Sequence, residues 1–480
     1  MLNFKKNPII LGTILLSFSG LICRGIGFFY RLFISQAFGE EAMGIFQLIS
    51  PVLMLAFSLT CAGTQTAISK YTASCLGMKK ESLARKFLFV GCTISLFLSS
   101  LYSIIVFCLA ENISIHFLLE KRCAPLLRIC ALSFPFSALH SCFNGYFYGK
   151  KNTKIPSFTQ ITEQVIRVGS VFSLYHFFLS QNKVPTIALT CIGMVLGEAT
   201  SFLISFLYYI LVYASPKSVA DSFASNSKTR TTSINKHHSF SQKIPSDNLS
   251  ELPSATIYKE TLHIACQLLT FSLPLTFNRV IVNLLQSYEA VSIPQCLRAF
   301  GYSDKTALSI YGVLTGMAFS LVMFPSTFAN SVSVLLLPTV SEASSEKKYF
   351  QIRNTIQKSV FFSLSLGFAC TLFFLLFGNF LGNLLFASSL AGTFICQLSF
   401  LCPFLYLHIT LGSILNGLKR IKTTLFINIF ALLIRLFFIL YLIPSYGIKG
   451  YLWGLLLSEL LSSFCCLLSL KQYICYTKNK

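Results

Sequence analysis

Ionisable side chains are scarce in this sequence, and several stand inside apolar runs, where a charge must be paired or must face a polar cavity. Arg24 lies within ILLSFSGLICRGIGFFYRLF and Arg279 within LLTFSLPLTFNRVIVNLL. A guanidinium binds phosphate oxygens bidentately and stays charged at any relevant pH, so arginines in such places suit an anionic, phosphate-bearing ligand. Arg167 and Arg435 occupy two further apolar runs, and Glu198 and Glu459 two more. Pairs Arg167–Glu198 and Arg435–Glu459 are the structural expectation, one in each half of the chain. Arg24 and Arg279 then have no acidic partner in their own runs and become the first candidates for substrate contact. Arg167 and Arg435 are the next. Glu163, one turn before Arg167, either pairs with it at i, i+4 or holds a coupling cation. Arg31 is expected to snorkel toward a headgroup layer, and His140 and His408 to hydrogen-bond between helices. No catalytic group, cofactor or metal site is expected. The 17 cysteines include no C-x-x-C pair and fall mostly in apolar runs, as small core residues do.

The elements that position these groups follow from composition. With 54% hydrophobic and 11% charged residues and a mean hydropathy of +0.68, the chain is not a water-soluble globule. Stretches long enough to cross a bilayer occur near 8–34, 42–66, 87–110, 125–148, 157–180 and 186–212, then near 261–288, 307–337, 359–378, 390–416, 423–443 and 447–470. Twelve spans place both termini on one side. Lysines and arginines outnumber acidic residues 38 to 16 and crowd the loops on that side, among them Lys79, Lys80, Lys150, Lys151, Lys419 and Lys422. This positive-inside bias makes that side cytoplasmic and removes any need for a nucleic-acid partner. Between the sixth and seventh spans, 213–259 is rich in Ser, Asn, Thr and Lys and reads as a cytoplasmic linker. The expected organisation is an all-α integral membrane protein, with one six-helix lobe at 1–212 and a second at 260–480.

The two halves are copies. An ungapped comparison of 135–167 with 403–435, at an offset of 268, matches 11 of 33 positions, including Pro135/Pro403, His140/His408, Gly149/Gly417, Lys151/Lys419 and Arg167/Arg435. Each half has six spans, so both copies enter the membrane in the same direction and a pseudo-two-fold along the membrane normal relates them.

Three long phrases carry a resemblance: CRGIGFFYRLFISQAFGEEAMGIFQLISP, GYFYGKKNTKIPSFTQITEQVIRV and SIPQCLRAFGYSDKTALSIYGVLTGMAFSLVMFPSTFANSVSVLLLPTVSEAS. The chain resembles the polysaccharide-biosynthesis proteins of the stage V sporulation protein B type, within the multidrug/oligosaccharidyl-lipid/polysaccharide (MOP) flippase superfamily. The resemblance implies a non-enzymatic flippase of the bacterial cytoplasmic membrane that carries a lipid-diphosphate-linked oligosaccharide, a precursor of peptidoglycan or another polysaccharide, by alternating access. It also implies that Arg24 and Arg279, which match cavity arginines of the lipid II flippases, line a central cavity. Two alternatives are carried beside it. One is a cation-coupled exporter of small molecules, which would want acidic cavity residues. The other is a polyprenyl-phosphate-dependent glycosyltransferase, for which Glu40 and Glu41 would be the acidic pair.

Overall fold

The computed structural model describes residues 8–213, 254–346 and 348–478. Most of the expected linker, with its His237–His238 pair, lies outside them. Backbone groups in hydrocarbon find partners only within helices, and the described chain is helical almost throughout. Spans 1 and 2, at 8–38 and 40–77, form one rod broken at Gly39, where a φ of 82° favours a residue without Cβ. Span 3 is Glu81–Cys108, and span 4 is the bent pair Cys123–Ala131 and Phe134–Gly149, at 44° to each other. Span 5 is Lys154–Ser180 and span 6 is Ala188–Tyr213. In the second half, span 7 is Ser254–Phe300, span 8 covers 304–345 and span 9 is Tyr349–Phe386. Spans 10 and 11 cover 389–417 and 421–446, and span 12 is Ile448–Lys478. Span 7 thus starts inside the stretch expected as linker and ends twelve residues beyond the expected 288, with Pro274 and Pro294 in its interior.

Nine described helices are long and apolar enough to cross a bilayer, the first of them carrying spans 1 and 2, and the bent pair adds span 4. Span 5 falls short of that standard because Gln160, Glu163, Gln164 and Arg167 interrupt it. Those are the residues with which it serves the site.

The duplication extends to backbone detail. Lys151 and Lys419, 268 residues apart, both take left-handed φ, 58° and 62°, in the turns after spans 4 and 10. Gly149 lies so close to the Ser69 carbonyl that an added Cβ would sit 2.7 Å from it, and Gly417 repeats this against Leu337 at 2.9 Å. Ser69 and Leu337 are again 268 apart. Such backbone approach is what small residues permit between membrane helices.

At the end of the bundle where spans 1 and 2 join, here termed the far end, the lobes meet through spans 1, 2 and 8, while toward the other end span 7 packs on span 2, where a Cβ at Gly63 would fall 2.2 Å from the Thr276 hydroxyl. Gly44 of span 2 abuts span 8, where a Cβ would fall 2.2 Å from the Leu308 carbonyl oxygen. Ser309 donates to Glu40, Gln36 Nε2 donates to the Leu385 carbonyl at 2.7 Å, and Arg298 donates to the Leu119 carbonyl at 3.1 Å. An ionic chain reinforces these contacts: Arg298 reaches Asp304 at 2.8 Å and Glu120 at 3.8 Å, and Arg122 joins Glu120 at 2.8 Å to Glu41 at 2.7 Å. Toward the opposite, near end, spans 1 and 8 leave a cavity between them.

Candidate substrate cavity

The cavity encloses about 660 Å³ between spans 1, 2, 5, 6 and 8. Span 1 contributes Gly20, Arg24, Gly27 and Arg31, a helical stripe that puts its two arginines on one face two turns, roughly 10.5 Å, apart. Span 5 adds Gln160, Gln164 and Arg167 at i, i+4 and i+7, and span 8 supplies Ser320, Ser326, Thr327 and Asn330 from the other lobe. Three arginines therefore line one cavity whose described lining holds no carboxylate.

They are not equivalent. Arg167 is neutralised from behind by Glu163, with which it makes a close i, i+4 ion pair, and by Glu198 at 3.8 Å. The expected Arg167–Glu198 pair is thus present, and Glu163 joins it. Arg24 makes no hydrogen bond or ion pair among the described residues, and Arg31 donates only to the neutral Ser320 hydroxyl, at 2.6 Å. The cavity thus holds two uncompensated positive charges. Arg31 does not snorkel as the sequence suggested. Its place on the Arg24 face turns it inward, where span 8 offers a hydroxyl.

Arg279 and Arg435 lie elsewhere. Arg279 is exposed on span 7, is absent from this cavity's lining and makes no ion pair among the described residues. Four residues on, Asn283 donates to the Met54 carbonyl at 3.2 Å and to the Ser58 hydroxyl, tying this face of span 7 to span 2. Arg435 is enclosed in the second lobe. Its expected partner, Glu459, instead takes His408 at 2.9 Å, and Arg435 lies 3.6 Å from Glu289, which also accepts a bond from the Tyr451 hydroxyl at 3.0 Å. Ala431 explains the exchange: it stands where the first lobe has Glu163, so Arg435 has no carboxylate on its own helix and takes one from span 7. Glu289 escaped notice in the sequence because span 7 runs past the apolar window that located it.

Behind Arg167, ligand atoms of His140, Glu163 and Glu198, from three successive spans, lie within 4.8 Å of one another. His140 also contacts the Thr159 hydroxyl at 3.3 Å, the interhelical bond expected of it. Glu198 additionally borders a small cavity of about 110 Å³ with Thr60, Ser133 and Ser137. Glu40 and Glu41, the acidic pair considered for sugar transfer, are engaged by Ser309 and Arg122 in closing the far end.

The family model described as polysaccharide biosynthesis protein matches residues 9–241, and the MatE family model matches 296–440. The chain is 28% identical over 451 residues to stage V sporulation protein B of Bacillus subtilis (strain 168), covering 93% of this chain and 80% of the relative. The two family matches follow one another along the chain, which is similar over most of its length to that sporulation protein. Among solved structures, the chain matches the inward-facing conformation of a multidrug resistance MATE family transporter of the MOP superfamily with a TM-score of 0.71 at 13% identity, covering 96% of each chain. It matches the outward-facing conformation of such a transporter at 0.64 and 14% identity, covering 99% of this chain and 98% of the other. The fold is therefore the twelve-helix, two-lobed transporter fold, in a multi-pass membrane protein.

Proposed function

We propose that this protein is a MOP-superfamily flippase for a lipid-diphosphate-linked oligosaccharide, moving it across the bacterial cytoplasmic membrane by alternating access, with both termini and the near end cytoplasmic. The observation that carries this reading is the pair of uncompensated guanidiniums, Arg24 and Arg31, in a cavity with no acidic lining. A diphosphate diester carries two negative charges, and charge-assisted bonds to guanidinium are the strong, geometrically specific ones. Gln160, Gln164 and Asn330 add amides suited to sugar hydroxyls. A slot of about 160 Å³ between spans 1 and 8 leads off the cavity past Leu16, Leu21 and Val334 and shares Arg24 and Asn330 with it. Its apolar walls suit the lipid chain while the head group is held inside. A cationic drug finds no matching carboxylate on this lining, which favours the flippase over the exporter. The anion-binding role falls first to Arg24 and Arg31, with Arg167, already paired to Glu163 and Glu198, behind them. Arg279 and Arg435 lie outside the cavity in this state.

The test is translocation of a fluorescent undecaprenyl-diphosphate sugar in proteoliposomes. Arg24→Ala should reduce transport at least ten-fold while the protein still inserts and unfolds at its usual temperature, and normal transport by that variant would overturn the reading. Accumulation of a cationic dye instead would favour the exporter. A second reading concerns energy coupling: the His140–Glu163–Glu198 cluster offers three ligands to a proton or small cation beside Arg167. Glu163→Gln should then abolish the dependence of transport on an ion gradient without removing substrate binding.

A further inference from the structure

Arg31 is at once a cavity residue and a bond between the lobes. Its guanidinium lines the cavity from span 1, and its Nη1 donates to the Ser320 hydroxyl on span 8 at 2.6 Å. Ser320 in turn donates to the Gly316 carbonyl at 2.7 Å, and residues 313–318 form a π-helical turn, an irregularity often found at functional sites. Beyond this level toward the far end, the contacts between spans 1–2 and span 8 continue through Met43 against Gly316, Gly44 against Gly312 and Leu308, and Glu40 with Ser309. Of these, Gly44, Gly312, Leu308, Glu40 and Ser309 are absent from the cavity lining, whereas Arg31 and Ser320 both belong to it. A molecule in the cavity can therefore reach the interlobe seam through this bond.

We infer that Arg31 is the residue through which an anionic ligand releases the far-end closure: phosphate oxygens compete with Ser320 for its guanidinium, and capture of Arg31 removes the cavity-side bond of the seam. A hydroxyl is a neutral acceptor, and a phosphate oxygen forms a shorter, charge-assisted bond that gains about twice as much. The ligand thus has the differential interaction with the closed and released states that any ligand-driven shift requires. This assigns Arg31 a positioning role between lobes in addition to its contact with the ligand. The inference rests on the anionic-ligand reading of the cavity.

The experiment uses the full chain in nanodiscs with geranylgeranyl diphosphate as the probe and a fluorophore pair on noncanonical residues at Lys121 and Lys305. These positions are exposed at the far end, one in each lobe. Binding and energy transfer are read together. Adding the probe to the wild-type chain should lower transfer as the far ends part. Ser320→Ala keeps the guanidinium and removes its competitor, so it should bind the probe several-fold more tightly, with a ceiling of about ten-fold if one bond of roughly 1.4 kcal/mol is released. Transfer in its unliganded form should already be lower. Arg31→Gln should bind at least ten-fold more weakly and lose the coupling, its transfer no longer responding to bound probe. Ser320→Thr, which restores a hydroxyl, should return both values toward wild type.

A merely structural bond would weaken binding in Ser320→Ala and Arg31→Gln alike, so opposite signs are the signature. Unchanged affinity in Ser320→Ala, with Arg24→Ala still abolishing binding, overturns the role of Arg31 and leaves the anionic-ligand reading standing. Failure of the wild-type chain to bind the probe overturns both.

Discussion

At Arg24, Arg31, Arg167 and Arg435 one side-chain type meets four environments, and the environment decides the role. Arg435 stands against Glu289 with little solvent access, so removing it strands a buried carboxylate. Arg435→Met should destabilise the protein by about 3–5 kcal/mol, and Arg435→Met with Glu289→Leu should recover most of that, as replacing a whole buried pair by apolar residues generally does. Thermal unfolding in detergent reads both, and a double variant no more stable than the single one would falsify the pairing. Arg24, with no partner among the described residues, should show the opposite profile, losing transport with little change in stability. The sequence made Arg24 legible, because no acidic residue shares its apolar run. It misplaced Arg31 and missed Glu289, since the direction of a side chain and the end of a helix that outlasts its apolar window are set by neighbouring spans.

Span 1 can present two arginines to one cavity because seven residues close two helical turns. Span 5 does the same with Gln160, Gln164 and Arg167, and both stripes are visible as spacings in the sequence. Which stripe faces which is a matter of packing. The close seam at Gly44 and Gly312 tolerates no side chain: a Cβ at either position would lie within 2.5 Å of backbone atoms on the opposing span. Gly44→Val should therefore keep the far ends apart, seen as low energy transfer between labels at Lys121 and Lys305 even without ligand. Transfer equal to that of the wild type would show that the seam yields. The repeat fared better in the sequence than the interface did. Lys151 and Lys419 matched by identity and fold into turns of the same hand, because local turn geometry is specified by nearby residues.

For the whole molecule, closure at the far end is an electrostatic as well as a steric matter. Burial pushes the Glu120 carboxyl up, but its bonds from Arg122 and the charge of Arg298 outweigh this and hold it below the usual carboxylate range. The bonds from Arg122 lie within one lobe and persist when the lobes part; only the Arg298 charge comes from the other lobe, and that share of the lowering stabilises the closed form above the ordinary pKa and is lost as pH falls through the lowered value. Acidification below the ordinary value of 4.5 should therefore loosen the far end, and Glu120→Gln should remove that pH dependence in the same fluorescence measurement. By itself the sequence determined the membrane class, the twelve spans, the duplication and the lack of an acidic partner for Arg24 and Arg279 within their own runs. Each of these rests on composition, period or repetition, which are properties of the chain taken in order. The tertiary structure alone decided that Arg31 joins the cavity, that Arg279 and Arg435 stand outside it, and that Arg435 takes Glu289 in place of Glu459. Those choices depend on which helix faces come within a few ångströms of each other, and side-chain pairing across lobes falls off over that distance with no trace in the order of residues.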